Sequence, residues 1–119
     1  MALDTTKTRW DWAPVTQGDT YPACQITESG SDSDLSRVRI KFKGPDGTTA
    51  LVLDSSTSGI TITTATAGAW DFQIDAITPA TTAALDSGFY SYDMEFTTAA
   101  GTVSTLFCGV WQVIKQITD

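Results

Sequence analysis

Basic and apolar side chains alternate without a break in Arg37-Val38-Arg39-Ile40-Lys41-Phe42-Lys43. A period of two residues is typical of a β-strand with one buried and one solvated face. The next residues, Gly44-Pro45-Asp46-Gly47, are strong turn formers, and the short apolar segment Leu51-Val52-Leu53 comes soon after them. We therefore predict a β-hairpin in which the three apolar side chains of the first strand face the core.

The same alternation recurs along the rest of the chain. Further strands are predicted around Trp10 and Trp12, at 21–26, from Ile60 onward, at 70–75, at 89–96 and at 103–117. Seven or eight strands, separated by turn formers about every eight to twelve residues, are typical of an antiparallel β-sandwich or barrel. Residues 78–86 contain Pro79 and several alanines, which fits a loop or one short helical turn.

The chain has 119 residues, which suits a single domain. We predict a flexible N-terminal arm at Met1–Asp11 that orders when it docks on a neighbour, followed by one β domain over residues 12–119. The N-terminus lacks the basic and apolar regions of a signal peptide, and no apolar segment is long enough to span a bilayer. We therefore expect synthesis in a cytosol.

Acidic residues outnumber basic ones by 14 to 7, which gives a net charge of −7. This balance predicts no binding to nucleic acid or to anionic membranes, because both repel an acidic protein. Four of the seven bases nevertheless alternate along one strand, and we call them the basic stripe: Arg37, Arg39, Lys41 and Lys43. One interpretation is a solvated face that pairs across strands with Asp71, Asp75, Asp93 or Glu95. The other is a contact patch for an acidic neighbour, such as another copy of this chain.

The chain contains no histidine, which removes the most common general base and metal ligand. It also lacks the nucleophile-elbow, phosphate-loop and dinucleotide-binding motifs. Two carboxylate pairs, Asp71 with Asp75 and Asp93 with Glu95, fit ordinary solvated strand faces better than a glycosidase site. We therefore predict that the protein is not an enzyme and uses no cofactor.

Two smaller features leave alternatives open. Asp32 and Asp34 lie in a loop rich in serine and aspartate, which is either simply solvated or a calcium site with an incomplete EF-hand pattern. We predict no metal site there. Cys24 and Cys108 each lie in an apolar segment, so they are either two small buried side chains or a disulfide formed in an oxidising compartment.

Four tryptophans are many for a chain of this length: Trp10, Trp12, Trp70 and Trp111. We expect one or two of them in the core. Trp10 and Trp12 are close to the N-terminus, where burial is harder to achieve, so we predict them as candidate protein contacts together with the basic stripe. Exposed tryptophans also stack on sugar rings, which is the alternative function.

Several short motifs resemble a known family. They are Gln17-Gly18-Asp19-Thr20-Tyr21, Asp34-Leu35-Ser36, the strand from Gly88 to Glu95, and the segment from Thr102 to Trp111 that leads to Val113 and Ile117-Thr118. Over residues 10–118 this order resembles the immunoglobulin-like module of tailed-bacteriophage virion proteins, best known from the N-terminal domain of baseplate upper proteins. The resemblance implies an immunoglobulin-like antiparallel β-sandwich that works as a structural part of the particle.

The predicted function is therefore a non-enzymatic structural component of a bacteriophage virion, made in the host cytoplasm. A baseplate protein of that type continues into a further domain, whereas the resemblance here covers nearly the whole chain. We therefore expect a small subunit: a tail, baseplate or neck adaptor, a fibre-linking subunit or a capsid decoration. Its partners would be other virion proteins and further copies of itself. The alternative is a carbohydrate-binding β-sandwich that uses Trp10, Trp12 or Trp70 as a stacking platform.

Overall fold

The computed structural model describes residues 8–29 and 32–117. These residues form nine strands and one short helix: β1 Thr8–Arg9, β2 Val15–Thr16, β3 Cys24–Glu28, β4 Leu35–Lys43, β5 Thr49–Asp54, β6 Ile60–Thr66, β7 Ala69–Ile74, α1 Pro79–Ala84, β8 Gly88–Thr98 and β9 Val103–Ile114. The predicted hairpin is confirmed, because β4 pairs antiparallel with β5. The described residues hold no helix that could span a lipid bilayer.

The strands form two sheets. The larger has six strands in the order β1-β9-β8-β4-β5, with β2 also paired to β9; the smaller has the order β3-β7-β6. Both β1 and β2 run parallel to β9, whereas the other pairings are antiparallel. The Tyr90 hydroxyl near the start of β8 donates to the Asp86 carbonyl oxygen at 2.6 Å, which is the tyrosine corner of this fold class. The predicted immunoglobulin-like β-sandwich is therefore confirmed. Its described residues form nine strands instead of the predicted seven or eight, because the short strands β1 and β2 add parallel pairings to β9.

Alternation places the core as the sequence predicted. Val38, Ile40 and Phe42 of β4 are fully buried, and so are the inward residues of β7 and β8. One apolar cluster fills the space between the sheets. Burial of large side chains contributes about 1.5–3 kcal/mol each, so this cluster supplies most of the driving force for the sandwich.

The N-terminal segment joins the larger sheet at residue 8. Thr8 and Arg9 pair in parallel with Phe107 and Cys108, and the Trp10 amide donates to the Cys108 carbonyl at 2.8 Å. Residues 8–11 of the predicted arm therefore lie along the edge of the sheet, and its first seven residues lie outside the described residues. This pairing satisfies backbone groups that would otherwise need water.

Three local predictions have different outcomes. Of the loop and the short helical turn left open for residues 78–86, the structure has the helix α1: Pro79 starts it, and the Thr78 hydroxyl caps it by accepting from the Thr81 amide at 3.3 Å. The strand predicted at 21–26 begins only at Cys24 and ends at Glu28. Tyr21 instead forms an isolated bridge with Ile77. Both cysteines are free thiols and half-buried, on strands of opposite sheets.

Candidate contact surface

The basic stripe lies on the outward side of the larger sheet, since its residues alternate with the buried side chains of β4. We call this side the outer face and define it by the outward side chains Arg9, Arg37, Arg39, Lys41, Lys43, Phe89, Ser91, Asp93, Glu95, Cys108 and Val110. A shallow concavity of about 610 Å³ runs across its centre, and most of these residues line it. The basic stripe is thus one wall of a surface that spans four strands.

The two arginines of the stripe hold a buried carboxylate. Arg37 Nε donates to Asp54 Oδ1 at 2.9 Å, and its terminal nitrogen forms an ion pair with Oδ2. Arg39 Nε lies 3.9 Å from Asp54 Oδ2, too far for a hydrogen bond. Asp54 is only 3% exposed, and the hydrogen bond from Arg37 holds the pKa of its carboxyl well below the usual range. This half of the stripe therefore serves the structure.

In one interpretation of the sequence, the basic stripe pairs across strands with any of four acids. The register places two of these acids opposite residues of the stripe. Arg39 lies opposite Glu95, and Lys41 lies opposite Asp93, both across the β4–β8 ladder. The predicted pairing with Asp71 or Asp75 is wrong, because Asp71 belongs to β7 of the smaller sheet and Asp75 directly follows that strand. Acids and bases thus form adjacent columns on the outer face.

The second half of the stripe is open to solvent. Lys41 and Lys43 are both exposed, and Lys43 lies opposite the neutral Ser91. Phe89, two residues along from Ser91 on the same face, is 63% exposed. A diagonal neighbour across such a ladder is about 7–8 Å away. Lys43 and an uncovered aromatic ring therefore share one end of the outer face, and Lys41 lies two residues further along β4, opposite Asp93.

Sequence reasoning did not single out Phe89 as a contact residue. The signal was present, because Tyr90 begins the buried set of β8 and the residue before it must point outward. Phe89 also pairs with Gln112, and Ile114 on that side of β9 is 42% exposed. Phe89 and Ile114 are thus diagonal neighbours that expose apolar surface on the same face, which makes them candidates for contact with a partner.

The structure separates the two predicted tryptophan contacts. Trp12 is 6% exposed and packs edge-on against Phe42 and Trp111, at ring distances of 5.1 and 5.5 Å. The expectation that Trp12 offers an exposed surface is wrong. The segment between β1 and β2 is hydrogen-bonded to β9 through the Trp12 amide, and the Trp12 ring is part of the buried apolar cluster. Trp70 is also buried, which removes it as a stacking platform. Trp10 is half-buried and keeps part of its ring at the surface.

A second concavity opens beside Trp10, between the N-terminal segment and the start of β3. We call it the aromatic groove; it has a volume of about 530 Å³ and is lined mainly by Trp10, Trp12, Pro14, Asp19, Tyr21, Pro22 and Cys24. The Tyr21 ring stacks on Trp12 at 5.4 Å with an interplanar angle of 5°. Burial raises the pKa of the Tyr21 hydroxyl, so this group stays neutral at physiological pH.

The remaining predicted polar sites are engaged in local bonds. Asp34 Oδ1 accepts from the Ala67 amide at 2.8 Å, which links the loop before β4 to the turn between β6 and β7. Asp71 accepts from Gln25 at 2.8 Å, and Asp75 accepts from Thr61 at 3.0 Å. Within residues 8–29 and 32–117, no group of three or more acidic, cysteine or histidine side chains is placed to hold a metal ion.

No family model matches the chain, and no curated protein matches its sequence. Among solved structures, a family 123 glycoside hydrolase from Clostridium perfringens is 14% identical over 93% of this chain, with a TM-score of 0.47. The chain spans 24% of that enzyme's length. Murine CRIg is 12% identical, with 92% of each chain covered and a TM-score of 0.33. Similarities this low say nothing about function. The fold itself defines an immunoglobulin-like domain.

Proposed function

We propose that this protein is a non-enzymatic contact module that binds a protein partner through its outer face. The observation that carries the proposal is the exposed Phe89 beside the exposed Lys43. Aromatic side chains are enriched as anchors of protein interfaces, and charged groups such as Lys43 are typical of the polar rim around them. The lack of histidine and of nucleophile motifs in the sequence supports a role without chemistry.

We further propose that the module is a structural component of a bacteriophage virion. This part depends on the motif resemblance over residues 10–118, which points to a tail, baseplate or neck adaptor, a fibre-linking subunit or a capsid decoration. Mass spectrometry of purified particles from the source culture tests it. Detection of the chain at a fixed ratio to the other structural proteins is expected. Its absence from every particle would overturn the virion role but would leave the contact surface to be tested separately.

The contact surface is tested with variants that leave the core untouched. Phe89→Ser and Lys43→Glu each change an exposed side chain, so we expect the free energy of unfolding to change by less than about 0.5 kcal/mol. Binding to the immobilised structural proteins of the particle should weaken by more than about tenfold. Lys115→Glu is the matched control, because it makes the same charge change beyond the end of β9. Equal binding by all three variants would refute the role of the outer face.

A second candidate function is carbohydrate binding at the aromatic groove. The observation that favours it is the half-exposed Trp10, which lines a concavity together with Asp19. Sugar recognition commonly combines an aromatic platform with a few polar groups. A glycan array tests this directly, with Trp10→Ala as the variant and Phe89→Ser as the control. Glycan binding that survives Trp10→Ala would exclude the groove.

A further inference from the structure

The two sheets of the sandwich carry opposite charge on their outward sides. Five of the seven basic residues lie on strands of the larger sheet, one on β1 and four on β4. The three strands of the smaller sheet contain no lysine or arginine at all. The strands of the larger sheet also carry three acids, Asp54, Asp93 and Glu95, so they keep a net positive charge. The strands of the smaller sheet carry Glu28 and Asp71 without any base, so they are net negative.

We call the outward side of the smaller sheet the acidic face and define it by Gln25, Thr27, Thr61, Asp71, Gln73 and Asp75. Asp71 and Asp75 project from it because they alternate with the buried Trp70, Phe72 and Ile74. Their hydrogen bonds come from the neutral groups of Gln25, Thr61 and Gln73, at 2.8, 3.0 and 3.2 Å. These bonds orient the carboxylates without neutralising them.

We propose that the outer face of one copy binds the acidic face of a second copy. This inference rests on the proposed function, since it uses the same outer face and names its partner. Opposite charges on opposite sides of one chain favour head-to-tail contact, which brings Lys41 and Lys43 toward Asp71 and Asp75. A symmetric contact between two outer faces would instead bring together two surfaces that each carry a net positive charge.

The strand geometry of the two faces is compatible with this contact. Asp71 and Asp75 are four residues apart, which is about 13 Å along an extended strand. The basic stripe covers at least this length on β4, from Arg39 to Lys43, so it is long enough to face both carboxylates. A head-to-tail contact is heterologous, and repeated copies close into a ring or continue as a filament. The structure thus predicts a self-association that does not stop at a dimer.

Sedimentation velocity of the unmodified chain tests the self-association. The mean mass should rise with concentration at about 50 mM salt and fall at about 500 mM, because salt screens exposed charges. Reversal of two charges on either face, in Lys41→Glu/Lys43→Glu or Asp71→Lys/Asp75→Lys, should weaken association by more than about tenfold. An equimolar mixture of the two variants should associate again, since each reversed face now matches a face of the other variant.

Matched controls test whether the loss of association depends on where a charge is changed or only on the change in net charge. Lys43→Glu is compared with Lys115→Glu, and Asp71→Lys is compared with Asp32→Lys. Asp32 lies in the loop before β4. Only the members on the two faces should reduce association. A wild-type chain that stays monomeric at low salt, or a variant mixture that fails to associate, would overturn the inference. Binding of Phe89→Ser to other particle proteins is measured separately, so that failure of self-association is distinguishable from failure of the proposed function.

Discussion

Arg37 and Asp54 form an ion pair between a partly exposed guanidinium and a buried carboxylate, which ties the first part of β4 to the end of β5. Arg37 Nε donates to Asp54 Oδ1 at 2.9 Å, and the same oxygen accepts from the Ser56 amide at 3.0 Å. The pair gives one half of the basic stripe a structural role. Arg37 and Arg39 lie against the buried Asp54 carboxylate, whereas Lys41 and Lys43 remain exposed to a partner.

Asp54→Asn should lower the free energy of unfolding by about 2 kcal/mol, because it removes a charge-assisted hydrogen bond and leaves the shape of the side chain unchanged. Asp11→Asn is the control. Asp11 pairs with Arg9 at 3.2 Å, but both side chains are more than half exposed, so its loss should be below about 1 kcal/mol. Urea unfolding of both variants measures the difference. Similar losses would show that the burial of Asp54 does not strengthen its ion pair.

The same pair makes stability depend on pH. The pKa of Asp54 is lower in the folded state than the value of about 3.9 for an unfolded aspartate. The unfolded chain therefore binds the proton more readily, and stability falls as the pH drops below about 4. We expect the stability difference between the wild type and Asp54→Asn to be largest near neutral pH and to shrink on acidification. Urea unfolding at a series of pH values measures it; a constant difference would contradict the lowered pKa.

The alternating pattern predicted the faces of the strands because this information is local. Phe42 and Tyr92 point inward, and Lys43 points outward, on the basis of a period of two residues alone. The pattern does not contain the identity of the neighbouring strand. Asp71 and Asp93 follow the same alternation, yet only Asp93 lies beside the basic stripe. Strand order depends on long-range pairing, and a single sequence carries no direct signal for it.

The environment of Trp12 was unpredictable for a related reason. Nearness to a terminus suggested exposure, but the parallel pairing of β1 and β2 with β9 places Trp12 against Phe42 and Trp111. Two-residue strands give no periodicity that a sequence pattern can detect. Phe89 is the opposite case. Its outward position followed from the pattern, and only its large exposed area identified it as a candidate contact residue.

Tyr90→Phe should lower the free energy of unfolding by about 1 kcal/mol, because it removes one hydrogen bond from a fully buried ring. The lost bond joins the Tyr90 hydroxyl to the Asp86 carbonyl and closes the corner between α1 and β8. Amide hydrogen exchange at 85–88 should become faster as this corner loosens. Phe89→Leu, which alters the adjacent exposed ring, should change neither quantity. If exchange at 85–88 stayed unchanged in Tyr90→Phe, the corner would not depend on this bond.

Gly109→Ala should release the N-terminal segment from the edge of the larger sheet. A Cβ atom at residue 109 would collide with the carbonyl group of Trp10, whose oxygen also accepts from the Tyr92 hydroxyl. Trp10 must move away, which breaks that bond and disturbs the pairing of β1 with β9. We expect a loss of about 1–3 kcal/mol, as for other overpacked sites, together with faster amide exchange at residues 9–12.

The control for this prediction is Gly101→Asn. Gly101 has a φ of 88°, and within the described part of the chain no atom would lie within 4 Å of a Cβ added there. Asparagine also tolerates this left-handed region better than other side chains. The substitution should therefore leave exchange at residues 9–12 unchanged. If Gly109→Ala also left it unchanged, the close approach of the Trp10 carbonyl would not hold the segment in place. If exchange increased only in Gly109→Ala, the glycine in β9 would be what allows residues 8–11 to pack as part of the sheet.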